Sequence, residues 1–409
     1  MQGMEISSRN LEAMSEPLRP KQENPRDFLD TDGLLAEDEV MLRDTVRRYV
    51  GDKILPYVGE WFDSGEFPHK EVSKAVGDLG LLGMHLDGYG CAGSSAMMYG
   101  LACMELEAGD SGLRSFVSVQ GSLAMFPIWA YGSEEHKQEW LPAMAAGDAI
   151  GCFGLTEPDS GSDPSSMRTN AKQDPGGDWV LNGAKMWITN GSIADVAVVW
   201  ARTDDGIRGF VVPTDTPGFS APKIERKVSL RASVTSELIM EDVRLPSEAV
   251  LPGVASMRGP LSCLNEARFG IAFGATGAAR ACYEAALDYA NSREQFGGPI
   301  SRFQLTQQRL VDMMIQVQRG TLVAYHLGRL KDAGTLGPAQ VSFGKKDNVA
   351  MSLRVAREAR GLLGANGITT EYPVIRHMNN LESVYTYEGT NEIHTLMMGQ
   401  ALTGHAAFS

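Results

Sequence analysis

Apolar residues in the N-terminal third of the chain recur at the three- and four-residue spacing of amphipathic helices. Residues 37–50 begin with acidic side chains and end with arginines, the charge order that a helix dipole favours. Residues 70–79 and 94–108 repeat the helical spacing, and the run Ser133-Glu-Glu-His136 is typical of a capped helix start. These segments predict a helical domain over residues 34–150.

The pattern changes to the two-residue period of β-strands after this domain. Strand-like runs occupy residues 179–181 and 184–189, and the Asn182-Gly183 pair between them is a strong signal for a hairpin turn. Further strands are predicted at residues 196–201, 209–212 and 237–243. We therefore expect a small β domain over residues 151–255.

Helical spacing returns at about residue 257 and continues towards the C-terminus. Pro338 suits the first turn of the third long helix, and a shorter helix is expected after Glu388. Together these elements predict an antiparallel four-helix bundle within residues 256–409. Helices, strands and helices follow one another without βαβ alternation, so the expected fold class is α+β.

The first 33 residues are polar and interrupted by proline, and we expect them to form an arm that precedes the first domain. They lack the apolar core of a signal peptide, and their acidic residues argue against a transit peptide. No run of 18 apolar residues occurs in the sequence, so no membrane span is predicted. The expected location is the cytoplasm.

Composition and charge narrow the range of partners. Hydrophobic residues make up 43% of the chain and charged residues 22%, as in globular proteins. The net charge of −14 disfavours nucleic acid as a partner, although an anionic small ligand needs only a local basic pocket. The five cysteines and seven histidines lack the spacing of metal ligands, so no metal is expected.

The run Tyr385-Thr-Tyr-Glu-Gly-Thr390 contains the best candidate for a catalytic base. Gly389 frees the backbone and Thr390 can cap the following helix, so Glu388 would stand on a turn and point into a pocket. Packing against Tyr385 and Tyr387 would desolvate the carboxyl group and raise its pKa, as a base near neutral pH requires. Taken alone, such a run is more often a surface glutamate in a turn.

Four other segments offer groups suited to a polar ligand, and each also has an ordinary structural explanation. Residues 152–163 (CFGLTEPDSGSD) carry hydroxyls and unhindered backbone N–H groups that could bind a heterocycle or a phosphate. The alternative is that they form only a turn-rich connection. Residues 186–190 (MWITN) carry a tryptophan that could flank a ring or fill a core. Residues 293–297 (REQFG) contain an arginine that could bind a pyrophosphate or could simply be solvated. Residues 362–367 (LLGANG) form a glycine turn, which can also be an ordinary helix end.

In this order, these motifs and the run YEGTNEIH resemble the acyl-CoA dehydrogenase family over essentially all of the chain from residue 34. The resemblance implies that FAD lies between the β domain and the C-terminal bundle. It implies a glutamate that removes the α-proton of an acyl-CoA thioester while hydride passes to the flavin. It also implies a homotetramer in which a neighbouring subunit completes each FAD site, and electron-transfer flavoprotein as the electron acceptor.

The resemblance assigns roles to individual residues, with Glu388 as the catalytic base. The residues assigned to FAD are Phe153, Leu155, Thr156, Gly161, Ser162, Trp187, Ile188, Thr189, Arg293, Gln295, Phe296, Gln304, Leu363, Gly364 and Thr390. The residues assigned to the substrate are Glu107, Arg114, Ser115, Ser162, Leu264, Asn265, Arg268, Tyr387 and Gly389.

The segment from Glu107 to Ser115 lies where most members of the family have an apolar floor of the acyl pocket. A buried arginine requires an anion, because an unpaired buried charge is costly. Arg114 could therefore bind the far carboxylate of a dicarboxylyl substrate, or it could pair with Glu107 in a structural role. With Tyr387 and flanking runs such as KVSLRAS, this segment resembles the members that convert glutaryl-CoA to crotonyl-CoA and CO2.

Three interpretations remain open at this point. The first is a decarboxylating dehydrogenase of glutaryl-CoA. The second is a dehydrogenase of short or branched acyl-CoA, or a glutaryl-CoA dehydrogenase that does not decarboxylate. The third is a non-catalytic flavoprotein scaffold, against which the retained Glu388 and the FAD loops argue.

Overall fold

The computed structural model describes residues 23–406 and contains a helical domain, a β domain and a second helical domain in the predicted order. Residues 1–22 of the predicted arm lie outside the described residues. Ser133 caps its helix as predicted, because its hydroxyl oxygen accepts the His136 N–H at 3.3 Å. The helices of the first domain are α1 Glu37–Tyr49, α2 Val58–Ser64, α3 His69–Asp78, α4 Ala96–Gly109, α5 Ser111–Ser118, α6 Phe126–Tyr131 and α7 Glu134–Ala145.

The β domain is a seven-stranded mixed sheet. Its strands are β1 Gly151–Gly154, β2 Asn170–Gln173, β3 Trp179–Thr189, β4 Val196–Thr203, β5 Gly206–Pro213, β6 Phe219–Ser220 and β7 Thr235–Leu245. The order across the sheet is β1-β4-β2-β3-β7-β6, and β5 also pairs with β4. β1 runs parallel to β4 at one end of the strand order. The loop that follows β1, which contains the predicted ligand-binding residues Thr156, Gly161 and Ser162, therefore leaves the sheet at that edge.

The hairpin predicted at Asn182-Gly183 is wrong, since β3 runs without a turn from Trp179 to Thr189. The antiparallel partner β7 pairs with β3 along its length and accommodates Asn182 at a register shift. The Asn182 side chain bridges to Asp242, whose N–H donates to Asn182 Oδ1 at 2.9 Å. Cross-strand pairing therefore overrides the local turn preference, and the hairpin forms one step earlier, between β2 and β3.

The C-terminal domain contains the predicted helices and one that the sequence analysis did not identify. Its helices are α8 Arg258–Ser292, α9 Gln304–Asp332, α10 Pro338–Leu362, α11 Pro373–Thr386 and α12 Asn391–Thr403. The unidentified helix is α11, which begins with a proline in its first turn. Its buried residues Val374, Leu381 and Val384 have helical spacing, so the signal was present in the sequence.

Helix α8 of the bundle crosses α4 of the first domain at very short range. A Cβ atom on Gly277 would lie 1.9 Å from the Met104 carbonyl oxygen, so only glycine permits this approach. The contact brings the last turn of α4, with Glu107, against the bundle. Arg114 and Ser115 follow on α5, so all three side chains are held by helices from both sides of the interface.

Residues 23–406 contain neither a membrane-spanning helix nor a metal-binding cluster. No helix there has the length and apolar character needed to cross a bilayer. No group of three or more histidine, cysteine, aspartate or glutamate side chains is arranged to hold a metal ion.

Candidate active site

A cavity of about 1560 Å³ opens where the three domains meet. The helical domain contributes Ser115, Val119 and Leu123 to its wall, and the β domain contributes the loop after β1 and the end of β3. Helix α8 and the loop between α11 and α12 form the opposite side. The cavity exceeds the usual volume of a site for one drug-sized molecule, so it has room for two extended ligands side by side.

Glu388 lies on the wall of this cavity, in the short loop between α11 and α12. Its φ angle is +52° and that of Gly389 is +90°, so two consecutive residues adopt the left-handed region. Thr390 caps α12 as predicted, since its hydroxyl oxygen accepts the Ile393 N–H at 3.3 Å. A non-glycine residue in this conformation is strained, and such strain is common where a side chain must be aimed.

The Glu388 carboxyl group has the environment expected of a base. Its Oε2 atom is buried and has no hydrogen-bond partner within residues 23–406. Burial raises the pKa of Glu388 above its ordinary value, and the positive charges of Arg114, Arg268 and Lys345 oppose that rise. The carboxyl group is thus left free to accept a proton from a ligand in the cavity.

Arg114 and Glu107 form a fully buried ion pair, with 2.6 Å between Arg114 Nε and Glu107 Oε2. Arg114 also donates through Nη2 to the hydroxyl of Tyr387, which lies 3.2 Å from the Ser115 hydroxyl. The remaining nitrogen, Nη1, has no partner in the described part of the chain. Tyr387 and Ser115 line the cavity, whereas Glu107 and Arg114 are not among its lining residues.

Arg114 is charged and Tyr387 is neutral at neutral pH. Although burial opposes the charge of Arg114, the Glu107 carboxylate raises the pKa of the guanidinium well above its ordinary value. Burial raises the pKa of the Tyr387 hydroxyl to about 12, so it remains protonated at neutral pH. The group therefore holds a permanent cation, Arg114, beneath the cavity wall and a neutral hydroxyl on Tyr387, which lines that wall.

Gly274 on α8 leaves the space that the Glu107–Arg114 pair occupies. A Cβ atom at Gly274 would lie 2.1 Å from Glu107 Oε2 and 3.3 Å from Arg114 Nε. We expect Gly274→Ala to displace the pair and to lower the free energy of unfolding by about 1–3 kcal/mol in urea denaturation, the usual cost of overpacking. Gly51→Ala is the matched control, because nothing lies within 4 Å of its Cβ position, and equal losses in both variants would contradict the close approach.

The predicted substrate residues of α8 line the cavity next to Glu388. Arg268 Nε donates to the Glu388 carbonyl oxygen at 2.8 Å, and its Nη1 lies 3.4 Å from Asn265 Oδ1. Arg268 thus contacts the loop that carries Glu388, and its predicted contact with CoA stays a prediction. Leu264 and Gly389 also lie on the wall.

Most residues predicted to bind FAD are brought together on the β-domain side of the cavity. Trp187 is 61% exposed and has a φ angle of +63°, so its indole ring stands on the surface instead of in the sheet core. Ile188 is buried beside it, and Thr189 follows on the cavity wall. The predicted FAD residues found on this wall are Phe153, Leu155, Thr156, Gly161, Ser162, Trp187, Ile188, Thr189 and Thr390.

The other predicted FAD residues do not line this cavity within one chain. Five of them are exposed and one, Leu363, is buried; they are Arg293, Gln295, Phe296, Gln304, Leu363 and Gly364. Phe296 is 88% exposed at the tip of the small hairpin formed by β8 Glu294–Gln295 and β9 Gly298–Pro299. Its ring meets Phe303 edge-on, with 6.1 Å between the ring centroids, but most of the ring surface stays open to solvent.

Several cavity residues escaped the sequence analysis. Val119 and Leu123 line the cavity from a π-helical segment, Val119–Met125, and residues 224–230 line it from the segment before β7. Lys345 and His394, which lie beneath the Glu388 loop, were also missed. Residues 227–230 and His394 lie within the runs KVSLRAS and YEGTNEIH, which carry the family resemblance but indicated no role for these positions. Val119, Leu123 and Lys345 carry no local motif, because they reach the site through contacts with elements distant in sequence.

Comparisons with known proteins agree with this fold. Family models match the N-terminal domain of acyl-CoA dehydrogenases over residues 36–148, the middle domain over residues 152–243 and the C-terminal domain over residues 257–403. A crystal structure of glutaryl-CoA dehydrogenase from Mycobacterium smegmatis is 63% identical, covers 95% of this chain and 100% of that chain, and gives a TM-score of 0.93.

Two further proteins extend the comparison. A glutaryl-CoA dehydrogenase from Mycobacterium smegmatis in complex with FADH2 is 61% identical over 95% of this chain and 100% of that chain, with a TM-score of 0.93. The mitochondrial short-chain specific acyl-CoA dehydrogenase of Bos taurus is 35% identical over 372 residues, which are 89% of this chain and 90% of the relative. The predicted fold is therefore confirmed, and the chain belongs to the acyl-CoA dehydrogenase family of oxidoreductases.

Proposed function

We propose that this protein is an FAD-dependent dehydrogenase that oxidises glutaryl-CoA and decarboxylates the product to crotonyl-CoA and CO2. The observation that carries the proposal is the buried Arg114, whose Nη1 atom has no partner among residues 23–406 although Glu107 and Tyr387 engage its other nitrogens. Arg114 does not line the cavity, but Tyr387, to which it donates, does, so a substrate carboxylate would have to approach beside Tyr387 to satisfy that atom. An alkyl chain would leave the atom unpaired. The similarity to glutaryl-CoA dehydrogenase of Mycobacterium smegmatis supports the same substrate.

The residues on the β-domain wall suit a flavin. Phe153, Leu155 and Ile188 supply apolar surface for a flat ring, and the hydroxyls of Thr156, Ser162 and Thr189 can hydrogen-bond to its polar edge. When bound there, FAD would supply the hydride acceptor for the β-carbon of the substrate. Trp187 would flank the ring system on its exposed side.

Glu388 would remove the α-proton of the thioester. Its unpaired Oε2 atom can take the proton without first breaking a hydrogen bond. Its raised pKa makes the carboxylate a stronger base than an exposed glutamate. The Glu388 N–H would donate to the thioester carbonyl and thereby stabilise the negative charge that develops on that oxygen.

Loss of CO2 would follow from the same geometry. Dehydrogenation of a glutaryl group leaves a carboxylate on the γ-carbon of an α,β-unsaturated thioester. Breaking the bond to that carboxylate releases CO2 and moves its electron pair into a dienolate, and the γ-carbon then takes up one proton to give the crotonyl group. The protonated Glu388, which lines the cavity, would carry this proton, so one side chain would serve both half-reactions.

A second candidate is a dehydrogenase of short or branched acyl-CoA, which the similarity to the short-chain enzyme of Bos taurus favours. Turnover of glutaryl-CoA beside butyryl-CoA and isovaleryl-CoA separates the two candidates. We expect glutaryl-CoA to be the preferred substrate and crotonyl-CoA with CO2 to be the products. Preference for butyryl-CoA would overturn the proposed substrate, and release of intact glutaconyl-CoA would overturn the decarboxylation step.

We also propose that four copies assemble and that a neighbouring copy completes each FAD site. The support is the exposed set around Arg293 and Phe296, together with apolar side chains exposed along α9: Leu305, Val311, Ile315 and Leu322. Burial of these side chains in an interface would remove apolar surface from water.

This assembly makes a testable prediction. The purified protein should be a yellow tetramer by light scattering, with one FAD per chain. Phe296→Asp should release FAD and reduce the assembled state, because a charge would be buried in the interface, while the circular dichroism of the helices remains. A monomer that retains its full FAD content would contradict the shared site.

Electron-transfer flavoprotein is the proposed acceptor and the cytoplasm the proposed location. All five cysteines are free thiols in this structure, as in a reducing compartment. Reduction of added electron-transfer flavoprotein by the enzyme and substrate would test the acceptor.

A further inference from the structure

Lys345 on α10 is a buried lysine that lacks an ion-pair partner. It is 1% exposed, and no carboxylate within residues 23–406 lies at ion-pair distance from it. Its ammonium group donates instead to two backbone carbonyls, of Gly389 at 2.8 Å and of Tyr385 at 3.4 Å. Burying a lysine without an anion costs free energy, so its position here calls for a role.

The two carbonyls lie on either side of Glu388. Tyr385 belongs to the last turn of α11, where carbonyl oxygens lack helical partners and a cation is favoured. Gly389 directly follows Glu388 and precedes the capping residue Thr390. Lys345 therefore joins the two ends of the loop in which Glu388 adopts its left-handed conformation.

A second basic side chain completes this support from another helix. Arg268 on α8 donates to the Glu388 carbonyl itself at 2.8 Å. The two helices thus bind three carbonyl oxygens of the loop. Arg268 donates to the middle one, of Glu388, and Lys345 donates to the outer two. His394 packs under Gly389, where a Cβ atom would lie 2.9 Å from its Nε2.

We propose that Lys345 is a positioning residue for Glu388: its ammonium group ties the Tyr385–Gly389 loop into the conformation that aims the carboxyl group at the cavity, and its positive charge favours the ionised form of that carboxyl group. This inference rests on the proposed role of Glu388 as the base. Lys345 is not a cavity-lining residue, so it would act through the loop and not on the substrate.

The charge balance around Glu388 explains why this lysine matters. Burial works against the ionised carboxylate, and each cation nearby lowers the pKa of Glu388. Burial also lowers the pKa of Lys345 itself to about 7, so part of its charge is lost as the pH rises above neutrality. The titratable or charged groups that face Glu388 come from every element packed against it: Cys103 and Glu107 from α4, Arg114 from α5, Arg268 from α8, Lys345 from α10, Tyr387 from the loop and His394 from α12.

The test compares three substitutions in the FAD-loaded protein. Lys345→Gln keeps a hydrogen-bond donor but removes the charge, Lys345→Met removes both, and Lys345→Arg keeps both. Lys346→Met is the matched control, because it removes a neighbouring lysine for which the structure shows no contact with the loop. The ionisation of Glu388 is followed by the infrared band of its protonated carboxyl group, which is assigned by its disappearance in Glu388→Gln.

We expect Lys345→Gln and Lys345→Met to move the midpoint of this titration upward by about one pH unit, with the arginine variant and Lys346→Met close to wild type. Flavin reduction below both midpoints should slow by roughly tenfold in the glutamine variant and recover at high pH. The methionine variant should lose rate at all pH values, since the loop is also released. An unchanged midpoint in both uncharged variants would overturn the inference and leave Lys345 a structural residue.

A second readout uses stability. The pKa of Lys345 is lowered in the folded protein, so between about pH 7 and pH 10 the unfolded chain binds a proton that the folded chain lacks. Folded wild-type protein should therefore gain stability over Lys345→Gln as the pH rises through this window. A constant difference would contradict the buried, unpaired state of the lysine.

If neither glutaryl-CoA nor butyryl-CoA reduces the wild-type flavin, the proposed function fails, whereas the infrared titration still tests Lys345.

Discussion

Glu388→Gln should reduce flavin reduction by substrate by several orders of magnitude while leaving FAD and CoA ester bound. The amide keeps the size of the side chain but cannot accept the α-proton. General bases contribute roughly 10²–10⁴ to a rate, and the loss here should exceed that range because water cannot replace the base in a closed pocket. Stopped-flow absorbance of the flavin under single-turnover conditions measures the effect.

Stability provides an internal control for this variant. Because the pKa of Glu388 is raised in the folded state, its ionisation at neutral pH costs folding free energy. Glu388→Gln removes that cost and should unfold at the wild-type temperature or above it. Glu392→Gln, an exposed carboxylate in the first turn of α12, is the matched substitution and should keep the wild-type rate. Bleaching of the flavin at near wild-type rate by Glu388→Gln would show that the base lies elsewhere.

Arg114→Gln should weaken turnover of glutaryl-CoA by roughly two orders of magnitude or more and turnover of butyryl-CoA far less. A buried contact between a guanidinium and a carboxylate is worth about 2–5 kcal/mol, and only the glutaryl group carries the carboxylate. The ratio of kcat/KM for the two substrates is the quantity to measure, because general damage to the fold cancels in it.

Two further variants separate docking from structural pairing. Arg114→Gln leaves Glu107 buried without its partner, so the double variant Glu107→Gln with Arg114→Gln tests the ratio without that unpaired charge. Arg280→Gln breaks the pair between Arg280, whose side chain is 15% exposed, and the buried Glu105, which lies on the same helix as Glu107. This variant should lower stability without changing the ratio. If glutaryl-CoA and butyryl-CoA lose equally in the Arg114 variants, Arg114 is a structural partner of Glu107.

Local sequence signals predicted a substantial part of the site. The capping threonine at 390 and the glutamate before it could be identified because capping depends on residues within one helical turn. The residue types of the loop after β1 and of Trp187 suited a planar polar ligand but also an ordinary structural role, and the structure places both on the cavity wall. Helix α11 could also have been found, since Pro373 and the apolar spacing of Val374, Leu381 and Val384 were present.

Other features could not be read from local patterns. Asn182-Gly183 has the composition of a turn, yet β3 continues through it because β7 pairs with β3 on both sides of this position. Whether Glu107 neutralises Arg114 completely was left open by the sequence. The structure assigns Nε to Glu107 and Nη2 to Tyr387, two residues separated by most of the chain, and leaves Nη1 without a partner among residues 23–406.

The sequence by itself determined the order of the three domains, the residue types on the cavity wall and the candidate base. Periodicity, capping and side-chain chemistry depend on residues that are close in sequence, so they can be recognised from the sequence alone. The tertiary structure decided the conformation of Glu388 and the charges around it, since Arg268 and Lys345 reach the loop from helices that begin 130 and 50 residues earlier, at Arg258 and Pro338. The pKa of a buried carboxyl group depends on desolvation and on charges a few ångströms away, and distance along the chain does not predict either of them.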